Sequence, residues 1–289
     1  MPVASPSVVS PITTRRMSFE DSLREIPRHF GADGDLLSSH IAACLSSVFP
    51  DGEDFFVRSV RDFRDQVSEP VLAQQMRGFI GQEAVHGREH RAFNRRLAEL
   101  GYPTTFIETV TERLLALADR LLSPKARLAV TAALEHYTAT LAEQLLRDDE
   151  TKALFGQTEV LELFLWHALE ESEHKTVAFD VYRAVGGTER MRRVVMDVVT
   201  VGFLGGVGLI VGLSLLGDRA TYHPVRFVRS LRRLLRSPII GKDLWQELRA
   251  YNQPGFHPSD HDASELLETW RERLFGADGA LNDRLAGVA

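Results

Sequence analysis

The sequence predicts an all-α protein built around a four-helix bundle, and three observations carry that prediction. Metal-ligand residue types recur at helical spacing in two stretches, Glu83, His86 and His90, then His167, Glu171 and His174. At about 100° per residue, each trio projects from its helix within an arc of roughly 60°. Turn signals divide the chain into long amphipathic blocks, and alternating β-branched runs are scarce. With 44% hydrophobic residues over 289 positions, the chain can bury a substantial core in one or two domains.

The elements follow in order. Residues 1–17 mix Pro, Ser, Thr and Val without the charged start and apolar block of a secretory signal, so they are expected to form a mobile tail. Ser39 to Phe49 is apolar-periodic and is expected to stop at Pro50-Asp51-Gly52. A helix then restarts at Glu53, with Phe55, Phe56, Val60 and Phe63 on its apolar side. Val71 to Leu100 forms a long helix ended by Gly101-Tyr102-Pro103. Phe106 to Leu122 follows, and Ser123-Pro124 offers a cap and first-turn proline for a helix reaching about Leu146. Thr158 to Val185 reads as one helix closed by Gly186-Gly187. The bundle is thus expected within residues 18–187, with residues 188–289 packed on it or on a membrane surface.

The last third differs in character. Val198 to Leu216 carries no charge and is about long enough to cross a bilayer core. Arg226, Arg229, Arg232, Arg233 and Arg236 follow, interleaved with Phe227, Val228, Leu231, Leu234 and Leu235. Such a segment suits an anionic lipid surface. The apolar stretch has two readings: a buried helix whose Gly202, Gly205, Gly206, Gly208 and Gly212 permit close approach, or a membrane-associated segment. His257, Asp260, His261 and Asp262 belong to a loop before a short final helix. The net charge of −6 argues against a nucleic-acid partner, and the single cysteine, Cys44, excludes an internal disulfide and a thiolate cluster. The expected location is cytoplasmic, with membrane association through Val198–Leu216 left open.

Two facing helices with a Glu-x-x-His pattern, plus one Glu from each of two others, form the carboxylate-bridged dinuclear site of ferritin-like bundles. Hard oxygen donors stabilise the ions, and imidazoles complete their coordination. Glu83 and Glu171 are the expected bridges, with His86 and His174 as terminal imidazoles. Glu135 is the only acidic residue between Leu128 and Leu141, where an unpaired carboxylate would be costly. Glu53 is the fourth carboxylate, with Asp54 and Asp62 as alternatives. His167 is read as a third imidazole, and His90 as another ligand or as a hydrogen-bonding partner behind one. Glu170 also has ligand spacing to His174, so a shift of register would exchange it for Glu171. Phe79, Phe164, Trp166 and Phe179 are candidate walls. The expected cofactor is two iron ions, with Mn/Fe, Mn or Zn as alternatives.

Phe49-Pro50-Asp51-Gly52-Glu53-Asp54-Phe55-Phe56, the Gln82–His90 block and Trp166-His167 through His174-Lys175 resemble a bacterial family labelled predicted metal-dependent hydrolases, over roughly residues 35–240. That resemblance implies a metal more firmly than it implies hydrolysis. The ligand order also resembles the di-iron arylamine N-oxygenases, mapping onto Glu53, Glu83, His86, Glu135, His167, Glu171 and His174. It implies an iron-ligand role for His167, and His90 departs from it. The function expected on these grounds is a dinuclear iron oxygenase acting on an apolar or amphipathic small molecule. Its partners would be dioxygen and an electron donor, with a membrane surface and a homodimer left open. The alternatives are a hydrolase using metal-activated water, with Glu170 relaying a proton, and a non-enzymatic metal-binding or membrane-associated protein.

Overall fold

The computed structural model describes residues 12–286. Its helices are α1 (Leu36–Arg61), α2 (Pro70–Glu99), α3 (Thr104–Leu121), α4 (Pro124–Arg147), α5 (Asp149–Lys152), α6 (Thr158–His174), α7 (Val177–Ala184), α8 (Glu189–Leu216), α9 (Pro224–Arg236), α10 (Lys242–Ala250) and α11 (Ser264–Phe275). Among the described residues there is no β-strand, only isolated bridges such as Met17 with Leu285. The all-α expectation holds.

Caps set several boundaries. Asp35 accepts from Ser38 N at 2.9 Å to start α1, Ser123 accepts from Ala126 N before α4, and Thr188 caps α8. Gly186, at φ 76°, ends α7 as its neighbour Gly187 N–H bonds back to Tyr182 O at 2.8 Å. A side chain there would be strained in the left-handed region.

Two expected boundaries differ from the structure. Helix α1 continues through Pro50 instead of stopping there. Proline removes the N–H that would serve the carbonyl four residues earlier. Asn94 of α2 fills that vacancy, donating from Nδ2 to Ser46 O at 3.1 Å. Conversely, the single helix expected from Thr158 to Val185 is interrupted immediately after His174. At the break Lys175 donates to Glu143 at 2.6 Å and to His261 O at 2.9 Å, tying the chain to α4 and the C-terminal loop.

The packing separates two apolar clusters. One contains Phe19, Phe30, Phe93, Leu145 and Trp166, and the other contains Phe55, Phe79, Tyr137, Phe179 and Tyr182. Helix α1 runs from the first cluster to the second, α2 and α4 run the opposite way, and α6 lies in the first cluster and leads into the second through α7. Three helices therefore cross the boundary between the clusters and α6 ends at it, and the predicted ligands lie there. Of the expected tail, residues 1–11 lie outside the described residues. Residues 12–17 instead run along the fold: Ile12 abuts Gly78 and Met17 is buried.

Helix α8 packs by one side only, and its buried residues are Arg192, Met196 and Ser214. Only 11% of its most apolar stretch is buried, and nothing lies near the added Cβ position of Gly202, Gly205, Gly206, Gly208 or Gly212. The close-packed, buried helix is therefore not what forms. Among the described residues, this is the one helix long and apolar enough to cross a membrane. Helix α10, which has no clear sequence signal, packs on α4, and α11 packs on α6.

Candidate metal centre

Helical spacing brings the predicted residues together. Glu53 comes from α1, Glu83 and His86 from α2, Glu135 from α4, and His167, Glu171 and His174 from α6. All seven side chains are buried. They form two groups of metal-ligand atoms, Glu53 with His86 and His167, and Glu83 with Glu171 and His174. Within each group the atoms lie within 4.8 Å of one another. Glu171 touches both: its Oε1 lies 2.9 Å from His167 Nε2, 3.5 Å from His174 Nε2 and 3.5 Å from His86 Nδ1. Glu83 Oε1 is 3.1 Å and Glu135 Oε2 3.5 Å from His174 Nε2.

The hydrogen bonding of this cluster is incomplete in a way that points to cations. Both oxygens of Glu53, Glu83 and Glu135, together with Glu171 Oε2, His86 Nδ1 and His174 Nε2, are buried without a hydrogen-bond partner. Among the described residues, none of the four glutamates pairs with an arginine or lysine. Four buried carboxylates crowded together are costly unless positive charge lies between them. Their proton equilibria register this. Burial pushes Glu53 up to about 8, and burial reinforced by the neighbouring Glu171 and Glu135 pushes Glu83 well above the carboxylate range. Glu135 is raised in the same way by burial and by Glu171. Burial acts upward on Glu171 too, but the charge of His174, the hydrogen bond with His167 and the close His86 ring hold it well below that range. His86 rises to about 10: burial opposes this, but contacts with Glu170 and Glu171 outweigh it. The donor set, four carboxylates and three imidazoles, fits divalent metal ions that accept mixed oxygen and nitrogen ligands.

Each histidine has a partner on the side away from the cluster. His86 Nε2 meets Glu170 Oε2 at 3.0 Å, and Glu170 in turn accepts from Arg15 Nη1 at 2.9 Å. His174 Nδ1 lies 3.1 Å from Gln82 Oε1, and Gln82 Nε2 donates to Glu173 at 2.9 Å. Arg15 and Arg271 hold Glu173. His167 Nδ1 is 2.7 Å from His90 Nε2, whose Nδ1 is 2.8 Å from Ser46 Oγ. Ser46 Oγ then donates to Asn94 Oδ1 at 2.7 Å. Taking the cluster-facing nitrogen of each ring as the unprotonated one gives every outward nitrogen a proton to donate.

The structure decides between the two expected places of His90 and puts Glu170 away from its expected one. His90 is not at the cluster, because both its ring nitrogens are engaged behind His167. Glu170 is committed to His86 and Arg15, a place for orienting an imidazole and not for relaying a proton from the cluster. Of Glu170 and Glu171, it is Glu171 that faces the cluster. Arg15, Gln82, Ser46 and Asn94 were missed. Arg15 lies in the stretch read as a tail, although a buried Glu170-Glu171-Ser172-Glu173 run signals that cations must come from elsewhere.

Aromatic rings enclose the centre. Trp166 stands 4.9 Å from the His86 ring and Phe79 4.8 Å from His174, as expected, with Phe164 5.7 Å from His90. Phe179 packs against Tyr251 and Phe256 instead. Phe49 lies 4.9 Å from both His90 and His167. A cavity of about 120 Å³, lined by Phe49, Leu141, Leu145 and Phe203 among others, reaches His167 and Glu171. It is the apolar approach to the cluster.

The family model described as predicted metal-dependent hydrolase matches residues 13–262. No curated protein and no solved structure matches the chain. The expectation of an oxygen-activating oxidoreductase is corrected by this match, which favours the alternative hydrolytic reading. With a buried cluster of metal-ligand side chains inside a match covering most of its length, the chain belongs to the family of predicted metal-dependent hydrolases.

Proposed function

We propose that the protein hydrolyses an ester or amide bond in an apolar or amphipathic small molecule, using a pair of divalent metal ions held by Glu53, Glu83, His86, Glu135, His167, Glu171 and His174. The observation that carries this reading is the facing set of buried, unpartnered carboxylate oxygens and imidazole nitrogens. Iron, manganese and zinc all suit these donors, and the expected iron pair is one form of the same centre. Bound there, the metal supplies an acidified water and polarises the substrate carbonyl.

The protein's own residues do the rest. Glu135 belongs to neither three-atom group and faces His174, so it completes the Glu83, Glu171 and His174 set. Glu171 also touches the Glu53, His86 and His167 set, and Glu171 and His167 line the apolar cavity, which would admit the substrate on that side. Phe49, Leu141, Leu145 and Phe203 steer the substrate's apolar part towards that side and exclude bulk water. Glu170, Gln82 and His90 hold the three imidazoles in fixed orientations, so the donors need little rearrangement during reaction.

The test is hydrolysis of chromogenic aryl esters and anilides by protein loaded in turn with Zn²⁺, Mn²⁺ and Fe²⁺, without oxygen. Turnover should require metal, stop on chelation, and fall to background in Glu171→Gln while helicity is retained. Absence of ester and amide hydrolysis with all three metals would contradict the proposal.

A further inference from the structure

Helix α9 has two differently used rows of polar side chains. One row anchors it: Arg226 donates to Gly34 O at 2.7 Å, Ser230 donates to Asp35 Oδ1 at 2.8 Å, and Arg233 donates to Ala32 O and Asp33. The other row, Arg229, Arg232 and Arg236, has helical spacing of three and four residues and so shares a face. Among the described residues, no hydrogen bond or ion pair engages these three guanidinium groups. In a chain of net charge −6, such an unpaired cationic row is a local reversal of sign.

The free row lines an open cavity of about 890 Å³, where Glu150 is the one acidic residue. Leu154 lines this cavity and also the apolar one that reaches His167 and Glu171. The segment 234–239 divides them a second time, since Ser237 and Pro238 line the outer space while Leu234 and Ile239 line the inner one. A cationic vestibule thus adjoins an apolar passage that ends at the centre.

We infer that the substrate is an amphiphile with an anionic group at one end. The anion, a carboxylate, sulfate or phosphate, sits on Arg229, Arg232 and Arg236. An apolar stretch passes Leu154 and Leu234 and carries the scissile group to the His167 and Glu171 side of the cluster. Arginine suits this task because its planar fork meets oxyanions with two parallel donors. This assignment rests on the hydrolytic reading for the bond that is cleaved, but the recognition of the anion stands apart from it.

The experiment measures binding of a fluorescent medium-chain fatty acid, and of its neutral primary amide, to the metal-free full-length chain. The carboxylate should bind about tenfold or more tightly than the amide, an advantage of the size expected for charge-assisted contacts. Arg229→Ala/Arg232→Ala/Arg236→Ala should bring the carboxylate down to the level of the amide without lowering the melting temperature. Leu145→Trp, which fills the inner cavity, should weaken both ligands. Equal affinity for acid and amide, or an unaffected triple variant, would overturn the inference. Arginine-dependent capture of phosphatidylglycerol vesicles without binding of the monomeric fatty acid would also overturn it, because the row would then serve a lipid surface. Fatty-acid binding with no cleavage of the corresponding esters in the metal-loaded protein would sink the hydrolytic reading alone.

Discussion

His90 shows how one side chain acts on the centre without reaching it. Its Nε2 lies 2.7 Å from His167 Nδ1, and Ser46 and Asn94 fix it from behind. Losing such a partner typically weakens metal binding about 10–100-fold. His90→Ala should therefore lower metal affinity by about that factor, and His90→Gln, which keeps a hydrogen-bonding group, should recover part of it. Competition against a chromophoric chelator measures both. A loss as complete as that of His167→Ala would make His90 a direct ligand, and no loss would make it packing alone. The candidate donors themselves were legible in the sequence, because helical periodicity maps spacing directly onto a shared face. Their partners were not. Gln82, Ser46 and Asn94 are ordinary helix residues, and Arg15 meets Glu170 across 155 positions of chain, a separation no local pattern encodes.

Among the elements of the bundle, α1 departs from its sequence reading in the most informative way. Pro50 reads as a stop, yet the helix continues because Asn94 takes the carbonyl that proline leaves free. Asn94 also accepts from the Ser46 hydroxyl that supports His90, so the repair of α1 and the orientation of His167 share one amide. A partner 48 positions away decides the matter, so local propensity could not. The same helix is tied to α8 through His40, which meets Ser214 Oγ at 2.7 Å and Asp218 Oδ2 at 3.2 Å, with His29, Arg28 and Tyr102 alongside. Burial lowers His40 from 6.5 to about 4. A depressed folded value means that the unfolded chain takes up the proton first. The stability from neutral His40 is therefore complete above about pH 6.5 and is lost as pH falls towards 4. The slope is about 1.4 kcal/mol per pH unit for one proton. Urea unfolding between pH 7 and 5 should show a smaller loss of stability in His40→Gln than in the wild type. Equal losses would contradict the assignment.

At the scale of the whole molecule, the centre occupies the boundary between two apolar clusters, crossed by α1 in one direction and by α2 and α4 in the other, with α6 ending at it. That placement explains why the site's carboxylates are buried with no arginine or lysine partner: the surrounding core offers rings and aliphatic groups. It also explains why α8 resisted reading from sequence. Its uncharged run satisfies a buried helix and a lipid-facing one equally well, and only the open space around its glycines distinguishes it from a packed core helix. The central claim is that the glutamates and imidazoles of α1, α2, α4 and α6 hold a pair of divalent ions, with Glu171 common to both. Elemental analysis of metal-reconstituted, desalted protein beside Glu171→Ala tests it most directly. The account predicts about two ions per wild-type chain and a marked loss from the variant. A wild-type chain that retains no metal, or a variant that retains as much as the wild type, would contradict it.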